Sequence, residues 1–140
     1  MRKLFIFLLV ILCSGCFFNK EEIIECSLTN KVGEVKVTNN YKFIYRKEEL
    51  KEIVLNISFD CKKDGGKKIY NKYIDIYKDL NNDVDNLEIN YNNEDCVIEL
   101  NAKVEKNKEK LLNSLNLGFL DNVSSDELRD TLKSTEYQCK

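Results

Sequence analysis

The chain has 140 residues, 33% of them charged, and its formal net charge of −2 at pH 7 gives no basic footprint for nucleic acid. It contains no histidine, so it lacks the commonest general base near neutral pH and the commonest metal ligand. Ser-His-Asp catalysis, Cys-His catalysis and the zinc hydrolase motifs are excluded for this reason.

The N-terminal residues follow the order of an export signal. Arg2 and Lys3 form a positive head, an apolar run covers residues 4–12, and small residues lead to Cys16. As a helix this run rises only about 14 Å, roughly half the thickness of a bilayer core, so it predicts a secretory signal rather than a membrane span. Residues 13–16 (Cys-Ser-Gly-Cys) resemble the lipobox of bacterial lipoproteins, with Cys13 in the place usually held by leucine.

The lipobox resemblance implies cleavage after residue 15 and a diacylglycerol on the sulfur of Cys16, the new N-terminus. The expected partner is the cell membrane, with the protein lipid-anchored on its extracytoplasmic face. We predict a signal peptide at residues 1–15, a lipidated tether at 16–22 and a single domain at 23–140. The six tether residues after Cys16 span at most about 20 Å, so the domain is expected close to the membrane.

Three strands are predicted in the first half of the domain, at residues 23–29, 35–45 and 50–61. Apolar and polar residues alternate along the second and third, as in strands with one buried face. The charged stretch 46–49 predicts a turn, which makes these two strands an antiparallel hairpin. Asn39-Asn40 interrupts the alternation and predicts a bend or bulge.

The chain then changes from strand to helix periodicity. After Asp64-Gly65-Gly66, apolar residues recur at helical spacing and predict an amphipathic helix over 67–81, packed across the sheet. Alternating residues predict two further strands, at 87–91 and 96–104, with a turn at 92–95 between them.

The C-terminal part is predicted to be mostly helical. A helix over 106–117 is expected to end at Gly118, and a second, short helix follows a capping box made by Ser124 and Glu127. Residues 136–140 predict a brief terminal strand. The order of elements predicts an α+β domain with a largely antiparallel sheet of about five to six strands and helices packed on it.

Four cysteines follow Cys16, and none of them forms a C-x-x-C pair. An even number in an exported domain favours two disulfides, with three possible pairings, over a thiolate metal site. We prefer Cys26–Cys139, which would join the two ends of the domain, with Cys61–Cys96, which would join two central strands. The alternative is four buried free thiols.

The layout of the chain resembles that of small Firmicutes lipoproteins, some of which are grouped with the YehR-like lipoproteins. The lipobox and short tether are followed by Glu25-Cys26 in a strand, and residues 137–140 read Tyr-Gln-Cys-Lys. The chain differs from these relatives in lacking a cysteine in its first helix, 67–81. The resemblance implies an exported α+β domain and carries over no catalytic residue.

Two short motifs approach ligand sites without completing them. Residues 79–85 carry Asp or Asn at the first, third, fifth and seventh places of an EF-hand-like loop. That loop needs Gly at its sixth place and Glu at its twelfth, whereas this chain has Val84 and Asn90, so no metal site is predicted. Gly65-Gly66-Lys67-Lys68 lacks the spacing of a phosphate-binding P-loop. No cofactor is predicted.

Two functional hypotheses remain. The first is a non-enzymatic, membrane-anchored lipoprotein that acts as a binding or envelope-associated module, its protein or small-ligand partner unidentified. The second is a small ligand-capturing accessory to a transporter or sensor, with a cleft between helix 67–81 and the sheet. The carboxylate pairs Glu21-Glu22 and Glu48-Glu49 are interpreted as exposed surface charge, and the tyrosines as core edge rather than an aromatic groove. No catalytic residue is predicted.

Overall fold

A computed structural model describes residues 20–104 and 108–140 of the chain. The predicted signal peptide and Cys16 lie outside the described residues. Within the described ranges, no helix is both long and apolar enough to cross a bilayer.

In the described part of the chain, six strands form one sheet in which each pair of neighbours is antiparallel. The spatial order is β4-β5-β3-β2-β1-β6. This confirms the predicted α+β fold with an antiparallel sheet. The strands are Glu21–Val32 (β1), Val35–Arg46 (β2), Glu49–Phe59 (β3), Leu87–Asn92 (β4), Val97–Lys103 (β5) and Gln138–Cys139 (β6).

The first strand begins earlier than the sequence predicted. β1 starts at Glu21 and pairs with β2 from its first residue, so Glu21 and Glu22 belong to the sheet rather than to the tether. The apolar pattern begins only at Ile23, so the sequence alone predicts that the two glutamates precede the strand.

Two tight turns connect the first three strands. Gly33 has φ 62° in the β1–β2 turn, while Lys47 (φ 53°) and Glu48 (φ 63°) form the β2–β3 turn. Two consecutive residues with positive φ make a type I′ turn, whose twist matches that of the flanking strands. The pairing of β2 with β3 therefore holds Lys47 and Glu48 in the left-handed backbone conformation, which costs each residue about 1 kcal/mol of conformational free energy.

The predicted bulge at Asn39-Asn40 is wrong. The pairing of β2 with β1 and with β3 runs through both residues without a break, and the register shifts instead between Ile44 and Tyr45. Lys51 is the additional residue at that shift. The Asn40 side chain is exposed, so its amide can stay hydrated without interrupting the strand.

Among the residues that the structure describes, three α-helices and a 3-10 helix accompany the sheet. They are Gly66–Asp83 (α1), Lys108–Ser114 (α2), Ser125–Lys133 (α3) and the 3-10 helix Gly118–Leu120. The capping box of α3 is confirmed, because Ser124 accepts a bond from the Glu127 amide and Glu127 accepts one from the Ser124 amide. The predicted end of α2 at Gly118 is wrong.

The end of α2 is set by Asn116. Asn116 adopts φ 57°, and the Leu117 amide donates to the Leu112 carbonyl at 2.6 Å. Helices often end at a residue in the left-handed backbone conformation. Glycine usually takes this position, and asparagine also tolerates it. Gly118 instead begins the 3-10 helix.

The helices lie against one face of the sheet and form a two-layer domain. Leu111, Leu112, Leu128 and Leu132 on α2 and α3 are buried in the same apolar cluster as alternate residues of the strands, and so is Tyr70 on α1. We call this the covered face. Among the described residues, none of these elements lies over the opposite face, which we call the open face.

Both disulfides that the sequence favoured are present. Cys26 and Cys139 are direct partners across β1 and β6, with Cα atoms 4.0 Å apart, and Cys61 is bonded to Cys96 at a Cα separation of 6.3 Å. Their sequence separations are 113 and 35 residues. By lowering the conformational entropy of the unfolded chain, loops of these lengths stabilise the folded state by about 5 and about 4 kcal/mol. The first secures the two-residue β6, and the second joins the end of β3 to the start of β5.

Candidate binding surface

The residues of the EF-hand-like motif do not form a loop. Asp79, Asn81 and Asp83 lie in the last turns of α1, and only Asp85 follows the helix. A helix distributes such side chains around its axis instead of converging them on one ion. Within residues 20–104 and 108–140, no group of three or more acidic or cysteine side chains is placed to hold a metal ion.

The two glycines at the start of α1 have structural roles. Gly65 has φ 78°, which favours glycine. Gly66 lies so close to the backbone of Asp60 and Cys61 that a Cβ atom would collide with it. The phosphate cradle considered from the sequence is thus a tight strand-to-helix connection.

Six tyrosines pack at the core and do not line an aromatic groove. Phe59 meets the rings of Tyr70 and Tyr73 edge-on, at centroid distances of 5.5 and 5.0 Å. Burial raises the pKa of Tyr77 to about 12. Tyr45 and Tyr70 are buried, whereas Tyr41, Tyr73, Tyr77 and Tyr91 are partly buried against the core.

The space between α1 and the sheet is filled by side chains. Tyr70 has no exposed surface and Phe59 is 5% exposed, so the interior of the predicted cleft is closed. A depression of about 290 Å³ remains at the outer rim of α1, beside β4. Its lining includes Ile74, Asp75 and Tyr91.

A polar cluster that the sequence analysis missed joins β1 to α3. The Ser125 hydroxyl donates to Glu22 Oε2 at 2.7 Å, and Arg129 Nη2 donates to Glu22 Oε1 at 2.9 Å. The bonds from Ser125 and Arg129 hold the pKa of Glu22 below its ordinary value of 4.5. Because Ser125 is buried and a carboxylate with a lowered pKa is a weak base, this contact is structural rather than a nucleophile–base pair.

The same cluster borders a buried hydroxyl. Tyr45 is 1% exposed, and its hydroxyl has no hydrogen-bond partner among the described residues. Burial and then the charges of Glu22 and Glu127 raise the pKa of Tyr45 to about 12. The sequence contains a signal for the inward position of Glu22, because Glu22, Ile24 and Cys26 are spaced two residues apart and so share one face of the strand.

The open face carries a straight row of polar side chains that crosses all six strands of the sheet. Each member is the direct antiparallel partner of the next, from β6 through β1, β2, β3 and β5 to β4. Directly paired residues share a face and lie about 4.5–5.5 Å apart. We call this set the polar row: Gln138, Ser27, Asn40, Asn56, Glu99 and Asn90.

A groove of about 330 Å³ runs along four of the six members of the polar row, from Gln138 to Asn56. Beside the row it is lined by Glu25, Lys42 and Val54, which are paired across β1, β2 and β3. Lys140 also lines it. Amides both donate and accept hydrogen bonds, so the groove suits a ligand rich in hydroxyl or amide groups.

The neighbouring row on the open face differs because its hydroxyls are bonded internally. Thr29 Oγ1 and Thr38 Oγ1 lie 3.2 Å apart, and the Ser58 hydroxyl donates to the Thr38 carbonyl at 3.5 Å. The groove beside the polar row is therefore the better candidate for binding.

Comparison with known proteins finds no relative whose ligand could guide the assignment of a ligand here. No protein-family model matches this chain, and neither a curated protein nor a solved structure matches it.

Proposed function

We propose that this protein is a membrane-anchored extracytoplasmic lipoprotein, attached through diacylglycerol on Cys16, whose domain acts as a non-enzymatic binding module of the cell envelope. The observation that carries the proposal is the lipobox-like ending at residues 13–16, four residues before a disulfide-closed domain begins. Disulfides persist in oxidising compartments outside the cytosol, which agrees with export.

The polar row supports the binding role. A sheet face with amides, a hydroxyl and charged groups offers hydrogen bonds in register across several strands. The proposed ligand is a hydroxyl-rich polymer of the envelope, such as the glycan of the cell wall. The aromatic side chains of the sheet are used in the core, so recognition would depend on hydrogen bonds rather than stacking.

The anchor is tested by acylation of the full chain in a bacterial host that processes lipoproteins. Metabolic labelling with a fatty-acid analogue should mark the wild-type protein and the Cys13→Ala control, and should leave Cys16→Ala unlabelled. Mass spectrometry should find the mature N-terminus at residue 16. A labelled Cys16→Ala protein, or a wild-type protein without acyl chains, would contradict the proposal.

The rim depression beside α1 favours a second candidate, a ligand-capturing accessory to a transporter or sensor. Its volume of about 290 Å³ is at the lower limit for small-molecule sites, and Tyr91 and Ile74 give it an apolar patch beside Asp75 and Lys78. A ligand bound there should raise the unfolding midpoint of the wild-type protein in a small-molecule screen, but not that of Tyr91→Ala.

A further inference from the structure

The two ends of the sheet are far apart and differ in what they carry. One end holds the start of β1, the β2–β3 turn and the end of β5, because Glu21 pairs with Arg46 and Glu52 with Lys103. We call it the anchor end. The far end holds the β1–β2 turn and the Cys61–Cys96 disulfide. The 12 residues of β1 separate the ends by about 40 Å.

The length of the chain before β1 limits where the domain can lie. Five Cα–Cα steps separate Cys16 from Glu21, and they span at most about 18 Å even when fully extended. A diacylglycerol on Cys16 places that residue at the level of the lipid headgroups. The anchor end must then lie near the headgroups, because the tether is shorter than half the length of β1.

The chemistry of the anchor end fits such a surface. A depression of about 650 Å³ lies there, and the described residues that line it are all charged, among them Arg46, Lys47 and Lys51. Arg46 donates to Glu21 at 2.8 Å and Lys51 pairs with Glu49, yet 59% of the Arg46 side chain remains exposed. Lysine and arginine bind phosphate oxygens through charge-assisted hydrogen bonds.

Basic and acidic side chains lie together at the anchor end. The cations Arg46, Lys47 and Lys51 stand beside the carboxylates Glu21 and Glu49. Anionic lipids attract basic residues near their surface, and the exposed part of Arg46 can donate to a headgroup phosphate.

We propose that the anchor end is a membrane-contact surface that lies on phospholipid headgroups. The strands then rise from the membrane, and the polar row runs parallel to it with the far end directed outward. This inference rests on the proposed anchor at Cys16.

Lysine labelling of the acylated full-length protein in vesicles of phosphatidylglycerol and phosphatidylethanolamine tests this orientation. The reagent is a singly charged, anionic amine-reactive ester, read out peptide by peptide. A surface potential of about −30 mV lowers the local concentration of such an anion about threefold within a Debye length of about 8–10 Å. Lys47 and Lys51 should therefore react about threefold more slowly in vesicles than in detergent, whereas the exposed far-end Lys31 and Lys62 should not change.

The matched control is a variant with ten Gly/Ser residues inserted between Lys20 and Glu21. It keeps Cys16 and the domain but lets the domain leave the surface, so protection of Lys47 and Lys51 should fall. Suppose the wild-type protein floats with the vesicles but Lys47 and Lys51 react as fast in vesicles as in detergent. That result would overturn the orientation and leave the lipid anchor intact. Failure to float, with no acyl chain on Cys16, would instead remove the proposed anchor.

Discussion

The two faces of one sheet have opposite surroundings, although they are built from alternating residues of the same strands. In β5, Leu100 is 1% exposed and packs in the core, while its neighbour Asn101 lies on the open face. In β1, Glu22 is bound by α3, whereas Glu25 lines the groove of the open face. Residue type alone does not decide the role of a position. Two glutamates three residues apart differ because one meets a helix and the other meets solvent.

The comparison predicts where stability resides. Leu100→Ala should lower the free energy of unfolding by about 3 kcal/mol, because it removes buried methyl groups and leaves a cavity in the core. Asn101→Ala, the matched change on the open face, should alter it by less than about 0.5 kcal/mol. Urea unfolding of the oxidised protein measures both. A comparable loss in Asn101→Ala would mean that the open face is packed.

A smaller, pH-dependent effect is expected at Glu22. Hydrogen bonds from Ser125 and Arg129 lower its pKa in the folded state below 4.5, so the folded protein favours the ionised form. This contribution is therefore complete above pH 4.5 and is lost as the pH falls through the lowered folded-state pKa. The side chain is 38% exposed, and solvent screening limits the contribution to about 1 kcal/mol.

The test compares Glu22→Gln with wild-type protein by urea unfolding at neutral and at acidic pH. The variant should be about 1 kcal/mol less stable at neutral pH and should approach wild type in acid. Glu25→Gln on the open face is the control, with an expected change below about 0.5 kcal/mol under both conditions. A Glu22→Gln deficit that persists in acid would show that the loss of a hydrogen-bond acceptor, rather than the loss of charge, weakens the contact.

The sequence was sufficient for the elements and their order because periodicity and capping are local. Alternation in residues 50–61 identified β3, and the Ser124–Glu127 box identified the start of α3. The bulge at Ile44 and Tyr45 was missed because it depends on pairing with β3. The sequence also placed the end of α2 at Gly118, since it could not show that Asn116 would take the left-handed conformation.

The candidate site was harder to predict for the same reason. Each member of the polar row is an ordinary polar residue in its own strand, and only the register places them side by side. A shift of one residue in one strand would move its member to the covered face. The cluster of Glu22, Ser125 and Arg129 likewise joins residues more than 100 positions apart in the chain.

The smallest effect on stability, and the most informative for function, is expected from removing two amides of the groove. The double variant Asn40→Ala/Asn56→Ala should unfold within about 0.5 kcal/mol of wild type, because both side chains lie on the open face. It should nevertheless bind purified peptidoglycan at least about tenfold more weakly, since two lost hydrogen bonds together exceed about 1.4 kcal/mol.

Cosedimentation of the folded protein with peptidoglycan measures this difference. Asn101→Ala is the matched control, because it removes an amide from the same face but outside the groove. Equal binding by the double variant would exclude the polar row as the contact, and no binding by wild-type protein would exclude cell-wall glycan as the ligand. Selective loss in the double variant would show that the face which contributes least to stability is the one that binds.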